Sequence, residues 1–247
     1  MQKKPVEPRL ARPGEYQQVF KDGEAVLLTV SMRWPRLEED SPGLKRINRY
    51  YDALADRWRR RWEGPLLTQA RAAAGPDTPP WSASLDFTVT LFQEGTLSLY
   101  VDAAEDTGGR YPDRVRQGDT WRIPSGVPVT LPELLPPRRW WRGPVVEEVR
   151  RQVGQRVSAG EAIFFEDWLK LCSQRFSSDR FYLTPEGPVV FYPVRSIAPD
   201  LEGFPALLLK TDPVCRLSRV NAQKSKNIFY EARMRAISSR KSCLEHR

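Results

Sequence analysis

Histidine is almost absent from this chain of 247 residues, and the single one is His246, next to the last position. A Ser-His-Asp triad, a Cys-His nucleophile pair and a histidine-ligated zinc centre therefore have no place in the body of the sequence, because each needs an imidazole as base or ligand. Cysteine is scarce as well. Cys172, Cys215 and Cys243 are odd in number and irregular in spacing, which fits neither a disulfide framework nor a zinc pattern and predicts reduced thiols. No window holds the roughly 20 apolar residues of a membrane helix, and Met1-Gln2-Lys3-Lys4-Pro5 leads into no hydrophobic run of a secretory signal. As written, the chain is expected to be soluble and cytoplasmic, or extracellular if its true start lies upstream. There is no Walker loop and no G-x-G-x-x-G, and Gly108-Gly109 lacks the strand-to-helix setting that cradles phosphate. No cofactor, metal or catalytic residue is expected.

Apolar residues make up 40% of the chain, enough for a sizeable core without covalent staples. The net charge of +8 is unevenly spread: residues 210–247 carry +7 and residues 1–209 only +1. Attraction to nucleic acid or to a membrane therefore belongs to this basic tail if anywhere, since a balanced surface makes no long-range field. Its composition also fits a disordered extension.

Residues 1–20 are polar and proline-punctuated and read as an irregular arm. Ala25 to Met32 predicts a strand, and Ser41-Pro42 predicts a helix start, with serine as cap and proline in the first turn. Leu44, Ile47, Tyr51, Leu54, Trp58 and Trp62 then recur at steps of three and four and define one apolar stripe. Gly64-Pro65 should kink or end this helix, Leu66 to Ala74 adds two turns, and Gly75 to Pro80 forces a loop that separates two subdomains. From Ser84 the period falls to two. Leu85, Phe87, Val89 and Leu91 share one face, and Leu97, Leu99 and Val101 follow a turn at Glu94-Gly95. A third strand is expected near Thr120 to Ile123, helices over Pro144 to Val153 and Phe164 to Phe176, and a hairpin around Pro185-Glu186-Gly187. Helices and antiparallel strands in separate runs predict an α+β fold, an antiparallel sheet packed on helices with an N-terminal strand and a long amphipathic helix.

Three phrases in order carry a resemblance: Leu97 to Tyr100 with the turn Asp106-Thr107-Gly108-Gly109, then Gly126 to Leu135, then Phe181-Tyr182-Leu183-Thr184 running through the hairpin to Ile197-Ala198-Pro199. Together they resemble the RsiV-like family, the lysozyme-binding C-terminal domain of anti-sigma factors, also found in PdaC-like peptidoglycan deacetylases. The resemblance covers roughly residues 25 to 209 and implies a non-enzymatic binding or sensing module, with lysozyme or a cell-wall glycan as partner. With the loop and composition signals above, the chain divides into the arm over 1–20, a strand and helix subdomain over 21–80, the RsiV-like domain over 81–209 and the tail over 210–247. The resemblance also places recognition on two loops, Thr107, Gly108, Gly109, Arg110 and Tyr111 on one and Ile197, Ala198, Pro199, Asp200 and Gly203 on the other.

Other chemistry is open to the residues themselves. Two of Asp102, Glu105 and Asp106 could sit at the carboxylate separation of a glycan hydrolase, or all three are ordinary strand-end turn acids. Glu38-Glu39-Asp40 suits a cation, or the positive end of the next helix. Arg138-Arg139-Trp140-Trp141-Arg142 offers flat apolar faces among guanidinium donors for sugars, a protein partner or bases, or plugs the core with one tryptophan.

Overall fold

The computed structural model describes residues 9–38, 41–93, 95–136 and 139–209. Structure starts earlier than the sequence predicts, because strand β1 (Gly14–Asp22) begins inside the stretch read as an irregular arm. The face bearing Glu15, Gln17, Val19 and Lys21 is exposed. Tyr16 and Phe20 point toward the core from the other, so an edge strand with one wetted face was hidden by its own glutamines and charges. A two-residue turn with Gly23 at φ 56° joins it to β2 (Ala25–Trp34).

Helix α1 (Pro42–Arg61) begins where expected: the Ser41 hydroxyl accepts the Leu44 amide at 3.3 Å, and Pro42 occupies the first turn. Gly64-Pro65 does not end the helix. Trp62–Leu66 widens into a π turn that absorbs the missing proline N–H, and α2 (Leu67–Ala73) continues from it. Leu44, Ile47, Tyr51, Leu54 and Trp62 are all buried against the sheet.

The long helical connection returns the chain to β3 (Trp81–Gln93), which pairs with β2 in parallel, an arrangement that requires such a crossover. The loop at 75–80 therefore closes a crossover within one sheet. Strands β4 (Thr96–Asp106), β5 (Asp113–Arg122) and β6 (Val127–Pro128) follow as an antiparallel meander, completing a six-stranded sheet in sequence order. The strand expected near 120–123 is only the end of β5. Its first half, Arg114, Arg116 and Gln117, is too polar to signal burial by composition.

One period-two prediction is corrected. The β3–β4 register slips between Val89 and Leu91, so Leu85 to Val89 follow one alternation and Leu91 the opposite one. Leu91 pairs with Ser98 and joins a second core, while Phe92 pairs with Leu97 and packs on the first. An extra residue in one strand thus turns a single strand toward two cores.

That second core lies behind the sheet, under α3 (Arg142–Ser158), α4 (Trp168–Gln174) and a small antiparallel sheet of β7 (Phe181–Thr184), β8 (Gly187–Phe191) and β9 (Ala206–Leu208). Helix α4 is shorter than expected at its start, because the Phe165 amide donates to the Ile197 carbonyl at 3.1 Å and holds that segment extended. Strand β7 crosses the large sheet at very close range. A Cβ on Gly118 would lie 2.0 Å from the Phe181 carbonyl oxygen, so only glycine admits the crossing. Leu183 completes the contact, its amide donating to Ser98 Oγ and its carbonyl accepting from Thr90 Oγ1, both at 2.7 Å. The result is an α+β fold. Among the described residues no helix is long and apolar enough to cross a membrane.

Candidate functional site

The β4–β5 turn is built by Asp106, whose Oδ1 accepts the Gly108 amide at 3.0 Å while Gly108 takes a φ of 82°. Thr107, Gly108, Gly109 and Arg110 are exposed, and the Arg110 guanidinium lies 5.4 Å from the centre of the Tyr111 ring. The second predicted loop follows β8. Arg195, at φ 58°, holds the two together: Nη1 donates to Asp113 Oδ1 at 3.0 Å, and Nε donates to Asp200 Oδ2. Arg114 adds a bond from Nη2 to the Asp200 carbonyl at 3.3 Å. Two loops distant in sequence are therefore locked into one surface by a short run of charged residues.

Apolar groups flank this clamp. Leu201 is 69% exposed and Ile163 58%, and Glu202 Oε1 accepts the Ile163 amide at 2.8 Å, bringing both side chains to the same end of the molecule. Arg114 Nε and Asp200 Oδ1 are buried beside the clamp without a hydrogen-bond partner among the described residues.

Beneath it, Arg116 is sandwiched between Tyr100 and Phe204, at 3.8 and 4.5 Å from the ring centres. Its fork grips Asp102, directly opposite on β4, through bonds of 2.8 and 2.7 Å. Burial pulls the Arg116 guanidinium down, but the hydrogen bonds and charge of Asp102 outweigh it and hold it above its ordinary range. The Tyr182 ring lies 5.1 Å from that of Tyr100 and is tilted by 50° to it, and desolvation raises its phenol pKa.

Not every predicted site residue reaches this surface. Ile197 and Ala198 are 0% and 1% exposed and belong to the second core, so the loop is fixed by them and presented by Asp200, Leu201 and Gly203. Pro199 is half-buried. The tryptophan pair divides: Trp141 packs on the second core 6.2 Å from Phe176, whereas Trp140 is 77% exposed under the Arg139 guanidinium at 5.3 Å. This pair is anchored on α4, where Arg142 Nη2 donates to the Ser173 carbonyl at 3.3 Å, and not on the two loops. Arg138, residues 39 and 40 of the acidic run and the whole basic tail lie outside the described residues.

The carboxylates do not converge. Asp102 and Glu105 point to opposite faces of β4, and each is held by an arginine. Glu105 accepts from Arg61 Nε and Nη2 at 2.5 and 2.7 Å and from Trp62 Nε1 at 2.8 Å, while Asp106 forms the turn. The sequence pattern missed Arg114, Arg116 and Arg195. The one signal available for Arg116 was the cross-strand position opposite Asp102 in a β4–β5 hairpin.

An α+β domain with a preformed loop surface at one end of its sheet is the class of protein these features define. No protein-family model matches the chain, and no curated protein matches it. Solved structures do. A DUF3298 family protein from Pseudomonas aeruginosa PAO1 is similar with a TM-score of 0.52 and 17% identity, over 87% of this chain and 94% of that one. A member of the same family from Bacteroides fragilis NCTC 9343 is similar with a TM-score of 0.53 and 11% identity, over 90% of this chain and 96% of the other. At these identities the likeness is one of fold.

Proposed function

We propose that this chain is a non-enzymatic binding or sensing module whose partner is a protein such as lysozyme, engaged by the two loops clamped at Arg195. The observation that carries the reading is the clamp itself: Arg195 bridges Asp113 and Asp200, so the surface is organised before any partner arrives and little ordering entropy remains to oppose binding. Exposed Leu201 and Ile163 supply apolar area, and Arg110, Arg114 and Tyr111 supply the polar rim of a protein interface. The RsiV-like phrases of the sequence support the same reading. A carboxylate hydrolase gains nothing from the geometry, because Asp102 and Glu105 are each committed to an arginine.

Calorimetric titration of the full chain with a c-type lysozyme tests it. Binding that Leu201→Asp and Arg195→Ala each weaken by about tenfold or more supports the assignment. Absence of binding to lysozyme, or binding indifferent to both substitutions, overturns it.

A further inference from the structure

Strand β1 pairs with β2 along one side only, and among the described residues nothing pairs with its other side. Natural edge strands are ordinarily shortened, bulged or broken by proline. This one runs for nine residues with no proline. The irregularity in the hairpin lies on its partner, since Phe20 pairs with Leu28 and Lys21 with Val26, leaving Leu27 as the extra residue on β2. The outer edge of β1 is therefore regular from end to end.

We infer that β1 is a self-association edge, pairing antiparallel with β1 of a second copy about a two-fold axis at Gln18. The sequence Gly14-Glu15-Tyr16-Gln17-Gln18-Val19-Phe20-Lys21-Asp22 is complementary to itself in this one register. Glu15 falls opposite Lys21 of the other copy, and the symmetry makes the pair twice. Tyr16 falls opposite Phe20, also twice, on the face where both already pack against the first core. Gln18 meets itself, and every residue of the strand has a partner. A shift of the centre by one residue to either side removes both the charge pairs and the aromatic pairs.

The geometry is consistent with the rest of the sheet. In a register centred on one residue, opposed positions are separated by an even number of residues, so outward-facing backbone groups meet outward-facing groups and each side chain stays on its own face. Glu15 and Lys21 lie on the exposed face, away from α1. Two six-stranded sheets would join into one continuous sheet, and the isologous contact closes with two copies. The charges that deter other pairings of this edge select this one.

Sedimentation velocity of the full chain over a broad concentration range tests the inference. A reversible monomer–dimer equilibrium is expected. Glu15→Lys alone and Lys21→Glu alone each set like charges opposite one another and weaken the dimer by about tenfold, and the double exchange restores it. Circular dichroism and thermal midpoints matching the parent establish that each variant is folded, as substitutions at two exposed positions allow. A parent that sediments as a monomer into the hundreds of micromolar overturns the proposal. So does a dimer indifferent to the single exchanges, or one that the double exchange fails to restore.

Discussion

Arg116 lies over the Tyr100 ring, its guanidinium carbon 3.8 Å from the ring centre, while both ends of its fork are bound to Asp102. Stacking and forked hydrogen bonding together need a planar cation, which lysine is not. Arg116→Lys should therefore destabilise the fold by about 1–2 kcal/mol despite keeping the charge, and urea denaturation measures it. A variant as stable as the parent would mean that the stack contributes nothing.

The crossing of β7 over the large sheet makes Gly118 the most size-sensitive position on β5. Gly118→Ala forces either the Phe181 carbonyl or the whole β7–β8 hairpin to move. A loss of about 3 kcal/mol is expected, and denaturant unfolding followed by tryptophan fluorescence reads it.

Adjacent tryptophans should behave oppositely. Trp141→Ala opens a cavity beside Phe176 and costs about 3 kcal/mol. Trp140→Ala removes a mostly exposed ring and should change stability by no more than about 0.5 kcal/mol. Equal effects in thermal melts would contradict the division between core and surface drawn above.

Cys172 is fully buried, and burial pushes its thiol from an ordinary 9.0 up to about 11. The folded state thus holds the proton more tightly than the unfolded one. The contribution to stability is fully present below about pH 9 and is lost as the pH rises toward 11. Tyr192, also raised by burial and donating to the Cys172 carbonyl at 2.7 Å, acts in the same direction. Stability measured from pH 8 to 11 should fall, and less steeply in Cys172→Ala. Mass-spectrometric mapping at pH 8 should find Cys172 unalkylated by iodoacetamide until the protein is unfolded.

What the sequence disclosed depended on whether burial followed a simple period. Helix α1 was legible because its apolar stripe, its serine cap and its proline agree with one another. The β7–β8 hairpin was legible from its turn chemistry. Strand β1 and the first half of β5 were not, since β1 is an edge strand with an exposed polar face and the polar residues of β5 are satisfied across the hairpin, as Arg116 is by Asp102. The loop surface was half legible. Thr107 to Tyr111 and Asp200 could be marked as exposed turns, but the clamp joins Arg195 to Asp113 across eighty-two positions, a contact that no local pattern encodes. Ile197 and Ala198 were misplaced for the same reason: a short apolar step in a loop does not reveal whether it points inward.

The slip at Thr90 also governs how the molecule comes apart. Before it, β3 is a wall of the first core through Leu85; after it, the same strand is a wall of the second through Leu91. Thr90 itself is bonded to Leu183 in the opposing sheet. Neither core can melt and leave the other intact, because melting either one strips a wall from its neighbour. Heat should therefore take the described chain apart in one transition, with equal calorimetric and van't Hoff enthalpies, and a partner gripping the loops at one end would raise the melting temperature of the far helix as much as that of the loops.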